Sequence, residues 1–408
     1  MIDTHLDALV REEAREFRVD SRVYTDTEIF EQEMRRIFER MWICVAHESQ
    51  LRTPGDFITA SIGRQPVIVT RDRSEGQVHV LFNRCRHRGA TVCQEKAGNT
   101  RFFRCGYHGW TYHLGGALAG VPHRSEEYDE DFDLTHGLVS VPRVRVLHGF
   151  VFACVLAEGD ELTDQLGNAV EYLEAFSRFG GSEVASIDTS AGVSRLAYDG
   201  NWKLQLENTV DSYHPDFVHQ SQGRLIQRRR GNATPRTSDA QDDLRTWDLG
   251  AGHAAFDLAP GGPKAGLSGN FFRGPAFHIS IFPNLCLLPS QIRFVRPIRV
   301  DRTEVDAYPV MVEGMEPEVI AGRLRAFEEF YGPAGFGAPD DLEMFNRVQA
   351  GVGADVELDG LRWIDMSRGL VDEHVEPDGR RSCPWFDESP QRAIYRGWRQ
   401  VMAGPSDG

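Results

Sequence analysis

Two groups of metal-binding side chains stand out in the 408-residue chain. The first lies in "NRCRHRGATVCQEKAGNTRFFRCGYHGWTY": Cys85-x-His87, seventeen intervening residues, then Cys105-x-x-His108. Two thiolates and two imidazoles in matching pairs can hold zinc or a [2Fe–2S] cluster. Zinc sites usually open on a pair of cysteines, so Cys-x-His favours the cluster, with a zinc ribbon as the alternative. In a cluster with mixed ligands, Cys85 and Cys105 take one iron and His87 and His108 the other, and the neutral imidazoles raise its potential. Gly89, Gly106 and Gly109 let both loops approach closely. Cys93 falls outside the pattern and reads as a small buried hydrophobe.

The second group is "NTVDSYHPDFVHQ", Asn208 to Gln220, with Asp211, His214 and His219. On a regular helix two histidines five residues apart point roughly 140° from one another. They converge only if the helix breaks between them, and Pro215 is placed to break it. Two histidines and a carboxylate on one face of iron(II) leave positions open for dioxygen. Asp211, one turn before His214, is spaced to fix the imidazole tautomer from behind. By itself this spacing is more often chance or ordinary surface than a metal site.

Together the two segments resemble the Rieske non-haem iron aromatic-ring-hydroxylating dioxygenases, in their large (alpha) subunit. The resemblance rests on C-x-H-R-G followed by C-x-Y-H-G-W, and on "NWKLQLEN" (Asn201 to Asn208) leading into D-x-x-H-x-x-x-x-H. It covers nearly the whole chain, including the ending "YRGWRQV". It implies Cys85, His87, Cys105 and His108 as ligands of a Rieske [2Fe–2S] cluster, and His214 and His219 as ligands of a mononuclear Fe(II). It implies Asp211 as the bridge that carries the electron from His108 of a neighbouring subunit to His214. In "YGPAGFGAPDDLEMF" the second aspartate of the family's D-D pair is the third iron ligand, which points to Asp341. Asp340 is its competitor, and Glu343 and Asp355 are further options. Arg86 and Gly106 stand where many relatives carry proline. Neither is a ligand, and Arg86 is placed to meet an acidic ferredoxin.

The implied activity is that of a terminal oxygenase component. A reductase, usually with a ferredoxin, passes electrons from NADH to the cluster, and dioxygen is added to an aromatic ring as a cis-dihydrodiol. Such subunits assemble as α3, or as α3β3 with a small beta subunit. The form of the GPAGF segment is similar to members that act on aromatic carboxylates such as benzoate, anthranilate, salicylate or terephthalate. An acid substrate needs a cation in an apolar pocket. Arg293 and Arg296 in "SQIRFVRPI" alternate with apolar residues on an expected strand, although a solvated strand face explains them equally well. Two other functions stay open: a Rieske monooxygenase giving a phenol or a demethylated ring, and a non-enzymatic Rieske electron carrier.

The positioning elements are legible from residue period. "YTDTEIFEQEMRRIFERMW" carries apolar residues at helical spacing behind a capping-box pattern, Thr25 to Glu28. From about Trp42 to Cys154 short β-type runs are cut by Gly and Pro. Helices and strands then mix, ending in "SPQRAIYRGWRQVM" with Ser389 as N-cap and Pro390 behind it. Ser221 to Asp243 reads as a loop. The expected fold is α+β: an N-terminal helical segment (1–41), an all-β Rieske domain (42–158) and a larger catalytic domain (159–408). By resemblance, the last is an antiparallel sheet flanked by helices, of helix-grip or START-like type.

Bulk properties narrow the class further. Lys+Arg 45 against Asp+Glu 61 gives −16, which argues against nucleic acid as a partner. The N-terminus lacks an apolar secretory core, and the longest apolar run, Phe150 to Ala157, is too short to span a membrane. Seven cysteines without disulfide spacing suit a reducing cytoplasm. No dinucleotide-binding glycine motif appears, so reducing equivalents come from another protein.

Overall fold

A computed structural model describes residues 6–404 apart from 130–131, 133–134, 180, 182, 231–242, 269–273 and 355–357. The chain forms two compact units. One is Phe38–Leu162, and the other joins Met1–Ile37 to Thr163–Gly408.

The smaller unit is built from three antiparallel sheets. Val78–Phe82, Gln65–Arg71, Asp56–Ile62 and Ala97–Asn99 form the first, and Leu118–Gly120, Thr111–His113 and Phe102–Arg104 the second. Arg143–Leu147, Phe150–Cys154 and Ile43–His47 form the third. The Leu147–Phe150 pair is closed by His148 and Gly149, both at positive φ (51 and 84), the backbone that a two-residue hairpin turn demands. Phe57, Ile68, Leu81, Phe103, Trp110 and Tyr112 form one buried cluster that includes Cys85 and Cys105. The cysteine loops thus hang from a packed apolar core.

The larger unit is organised on a nine-stranded antiparallel sheet. Its central strands run, in spatial order, Arg302–Pro309, Gln291–Arg299, Leu285–Leu288, Phe277–Ile281 and His253–Asp257. The Ser389–Met402 helix packs on the Arg245–Gly250 and His253–Asp257 strands and buries Arg392, Tyr395 and Trp398 completely. Gly397 permits that approach, because a Cβ there would lie 2.3 Å from the Gly252 backbone. The Lys203–Thr209 helix touches the Phe277–Ile281 strand, and two hydrogen bonds fix it there. Ser280 Oγ donates to Leu206 O at 2.8 Å, and His278 Nδ1 donates to Thr209 O at 3.2 Å. No helix among the described residues is long and apolar enough to cross a membrane.

Three local expectations change. The first helical segment is broken into Arg22–Thr25, Thr27–Glu33 and a wider, π-type turn Met34–Phe38. Its cap is Asp26, which accepts from Glu28 N at 2.7 Å and Ile29 N at 3.2 Å. Thr25 is still helical and turns its hydroxyl back to Ser21 O. Ser389 lies inside the last helix rather than before it, and its hydroxyl bonds Glu373 instead of a backbone N–H. Gln220–Arg230 is helical where a loop was expected, and the rest of that loop lies largely outside the described residues.

Candidate metal centres

The two cysteine loops have the same backbone design. Cys85 N donates to Ala90 O at 2.8 Å, and Gly89 N donates to Cys85 O at 3.0 Å. Cys105 N donates to Trp110 O at 2.8 Å, and Gly109 N donates to Cys105 O at 3.0 Å. Gly89 and Gly109 sit at φ +79 and +75, so both turns require glycine. Gly106 has ordinary φ and open space where its Cβ would stand, so no close approach depends on it. The loops place the His87 and His108 rings 4.5 Å apart, with His87 stacked on Trp110. Both cysteines are buried while both imidazoles are half-exposed, so the thiols would hold a cluster from the core side and the imidazoles from the surface side.

His87 Nδ1 is buried without a hydrogen-bond partner, the condition of an atom meant for a metal. Desolvation, then the charges of His108 and Arg88, lower the His87 pKa, which favours the neutral ring that a ligand must be. Sequence reasoning missed Tyr112. Its hydroxyl lies 3.1 Å from Cys85 Sγ and accepts from Arg86 N at 3.2 Å. A thiolate there accepts a hydrogen bond from that hydroxyl. Asn83 pins the same loop through Val92 N, Cys93 N and Cys93 O, and Cys93 is a buried packing residue as expected.

In the larger unit the Lys203–Thr209 helix stops at Val210, and Asp211 turns the chain. One carboxylate oxygen, Oδ1, accepts from both Tyr213 N and His214 N at 3.0 Å. Pro215 then opens a single-turn helix, Pro215–Val218, with His214 at its N-terminal cap position and His219 at its C-terminal one. The proline acts by restarting the helix rather than by kinking it. The two rings end 5.3 Å apart.

Asp341, in the first turn of the Ala338–Val352 helix, completes the group. Its Oδ1 lies 3.5 Å from His214 Nε2 and 3.2 Å from His219 Nε2, and one ligand atom from each residue falls within 4.8 Å of the others. That Oδ1 is buried with no hydrogen bond, as are Nδ1 of both histidines. A carboxylate stands behind each of those Nδ1 atoms: Asp211 at 3.5 Å from His214, and Asp340 at 4.0 Å from His219. Asp340 therefore lies on the far side of His219 from Asp341. Glu343 is exposed and paired with Arg347, and Asp355 lies outside the described residues.

Burial opposes charge on His214, but Asp211 and Asp341 outweigh it and hold its pKa up at about 9. Burial likewise opposes ionisation of Asp341, and His214 and His219 outweigh it, lowering its pKa to about 2. The pocket draws a cation, and the donor set of two imidazoles and one carboxylate fits iron(II). Two residues next to it were not foreseen as neighbours: Asn208, whose Nδ2 lies 3.3 Å from His214 Nε2, and Phe330, whose ring lies 5.0 Å from that of His219.

Behind the site a fully buried ion pair, Lys203 Nζ to Glu33 Oε1 at 2.5 Å, anchors the helix that leads into it. Trp202 Nε1 and Trp398 Nε1 also donate to Glu33, at 2.8 and 2.7 Å.

The two candidate substrate arginines part company. They are three residues apart on one strand and so face opposite sides of the sheet. Arg296 is paired with Glu304 at 2.8 Å and Asp306 at 3.5 Å and does not join the site. Arg293 is 3 % exposed and has no carboxylate partner among the described residues. Its guanidinium donates to Gln291 Oε1 at 3.0 Å and lies 4.9 Å from the Tyr331 ring centroid.

Comparisons with known proteins identify the family. Residues 41–143 match the Rieske [2Fe-2S] domain family, and residues 186–404 match the ring hydroxylating alpha subunit (catalytic domain) family. The chain is 34% identical to the 2-halobenzoate 1,2-dioxygenase large subunit of Burkholderia cepacia, over 89% of this chain and 82% of that one. It is 32% identical to the toluate 1,2-dioxygenase subunit alpha of Pseudomonas putida, over 98% and 94%. It is 34% identical to the anthranilate 1,2-dioxygenase large subunit of Acinetobacter baylyi, over 86% and 80%. A structure of naphthalene 1,2-dioxygenase with indole bound in the active site superimposes with a TM-score of 0.83 at 25% identity, covering 97% of this chain and 94% of that one. The chain belongs to the Rieske non-haem iron ring-hydroxylating dioxygenases, as a large (alpha) subunit that takes a [2Fe–2S] cluster and a mononuclear iron.

Proposed function

We propose that this subunit cis-dihydroxylates an aromatic carboxylate, with electrons from NADH delivered by a reductase and a ferredoxin. The observation that carries the acid is Arg293, a buried guanidinium with no carboxylate partner among the described residues, a partner that a substrate carboxylate would supply. The names of the halobenzoate, toluate and anthranilate relatives support the same class.

Cys85, His87, Cys105 and His108 are the residues that would hold the cluster, and His214, His219 and Asp341 those that would hold the iron. When bound, the cluster supplies single electrons and the iron supplies activation of dioxygen. Around them the chain does the positioning. Asp211 spends Oδ1 on the backbone of Tyr213 and His214, and Oδ2 remains for His108 of a neighbouring subunit, the bridging role we assign to it. Phe330 packs edge-on against the His219 ring and Tyr331 packs on Phe330, apolar surface that would limit water beside the metal ligands.

Arg84, Arg86 and Arg88 line a groove beside Cys85 and His87, a local basic patch on a chain of net charge −16. That patch suits an acidic ferredoxin. The bridging role requires an assembly, α3 or α3β3. Residues 42–158 are assigned as the cluster domain and 159–408, with 1–41, as the catalytic part. All seven cysteines are buried and none forms a disulfide, in keeping with a reducing cytoplasm.

The test is product analysis under labelled dioxygen with benzoate-type acids. Two labelled oxygens in a diol are expected, whereas one in a phenol would make the protein a monooxygenase. Metal analysis should give about three irons per chain. Two irons per chain, with a Rieske spectrum, would reduce the protein to an electron carrier.

A further inference from the structure

His278 and Arg293 face the same side of the nine-stranded sheet. Ser280 pairs with Cys286 and Cys286 with Arg293, so these three share a face, and His278 shares it at two residues before Ser280. It is the face covered by the Lys203–Thr209 helix, because Ser280 and His278 are the residues that bond that helix. Two strand spacings and two residues of rise separate the Cα atoms of His278 and Arg293 by about 12 Å. An interval of that order can take a substituted benzoate lying over Cys286 and Leu288, which the intervening strand presents on the same face.

The iron ligands border the same space. Arg293 lies over the Tyr331 ring, Tyr331 packs on Phe330, and Phe330 packs on His219.

The chemistry of His278 is set by its backbone bond. A carbonyl oxygen only accepts, so Nδ1 carries the proton and Nε2 is left as an acceptor. Burial, opposed by that bond but helped by the charge of Arg293, holds the ring neutral, with its pKa lowered to about 3. Nε2 has no partner among the described residues, yet His278 retains accessible surface where its neighbours Phe277 and Ile279 do not. An unmet acceptor therefore stands on the same sheet face as a guanidinium that has no carboxylate partner among the described residues.

We propose that His278 Nε2 accepts a hydrogen bond from an amino or hydroxyl substituent of the aromatic acid whose carboxylate Arg293 holds. The preferred substrates are then amino- or hydroxy-substituted aromatic carboxylates rather than benzoate itself. This rests on the aromatic-acid reading above and narrows it.

The experiment uses the protein loaded with both metals and a surrogate reductase. Oxygen uptake is measured with benzoate, the aminobenzoates, the hydroxybenzoates and toluene, beside equilibrium binding of the same compounds to the wild type. At least one amino- or hydroxybenzoate should show a KM and a dissociation constant about tenfold below those of benzoate. His278→Leu should bring the two KM values together, with the change in KM rather than in kcat, and His278→Gln, which keeps an acceptor, should retain part of the difference. If no substituted acid binds more tightly than benzoate in the wild type, or if His278→Leu keeps the difference, the proposal is overturned and the acid reading survives. If toluene binds as tightly as every acid and Arg293→Leu changes nothing, the acid reading falls as well.

Discussion

Replacing Tyr112 by phenylalanine removes one hydroxyl from the cluster loops and leaves the ring, which is fully buried, in place. The hydroxyl lies 3.1 Å from Cys85 Sγ. A hydrogen bond to a charged group contributes about 1.5–3 kcal/mol, and reduction adds one negative charge for the sulfurs to share. With about 1 kcal/mol of that bond felt as the difference between redox states, and 59 mV per tenfold for one electron, the shift is about 40 mV. Its sign is fixed: the donor favours the more negative, reduced cluster, so Tyr112→Phe lowers the potential. The second loss, an acceptor for Arg86 N, is small because Arg86 is exposed and water can replace it. A redox titration followed by the cluster's EPR signal, with the visible spectrum as the control for loading, measures the change. A potential within about 10 mV of wild type would refute this account of the loop.

Asp341→Ala should lose the mononuclear iron while the cluster spectrum survives, and Asp340→Ala should keep both; the reverse pattern in a metal analysis would exchange their roles. Asp211→Ala should keep both centres loaded and slow single-turnover electron delivery about tenfold or more, so unchanged turnover sinks the bridging role. Lys203→Met leaves Glu33 buried without its cation and should cost about 3–5 kcal/mol of stability by denaturant titration, with Glu33→Gln added to it recovering part. In metal-free protein His214 titrates at about 9, and iron must displace its proton, so Fe(II) affinity should rise with pH up to about 9 and then level. An affinity flat between pH 6.5 and 9 contradicts that coupling.

Much of the site could be read from the chain because its ligands sit on short local motifs. The Cys85 and Cys105 loops each carry their ligands and their positive-φ glycine within five residues, so the spacing alone states the geometry. Asp211, His214 and Pro215 are likewise local, and their turn is made by Asp211 bonding the next residues' backbone. What was misread locally, the caps at Thr25 and Ser389, differs by one position: Thr25 is taken into the short helix before it, which leaves Asp26 as the cap, and Glu388 stands before Ser389.

The sequence by itself determined which side chains can hold metal, because ligand type and loop backbone are fixed over a few bonds. Only the tertiary structure set Asp341 rather than Asp340 between His214 and His219, brought Tyr112 to Cys85, and turned Arg293 inward while Arg296 found Glu304. Those outcomes depend on which face of a helix or strand meets the core. That choice is made by burial summed over the whole sheet, and no local pattern carries it.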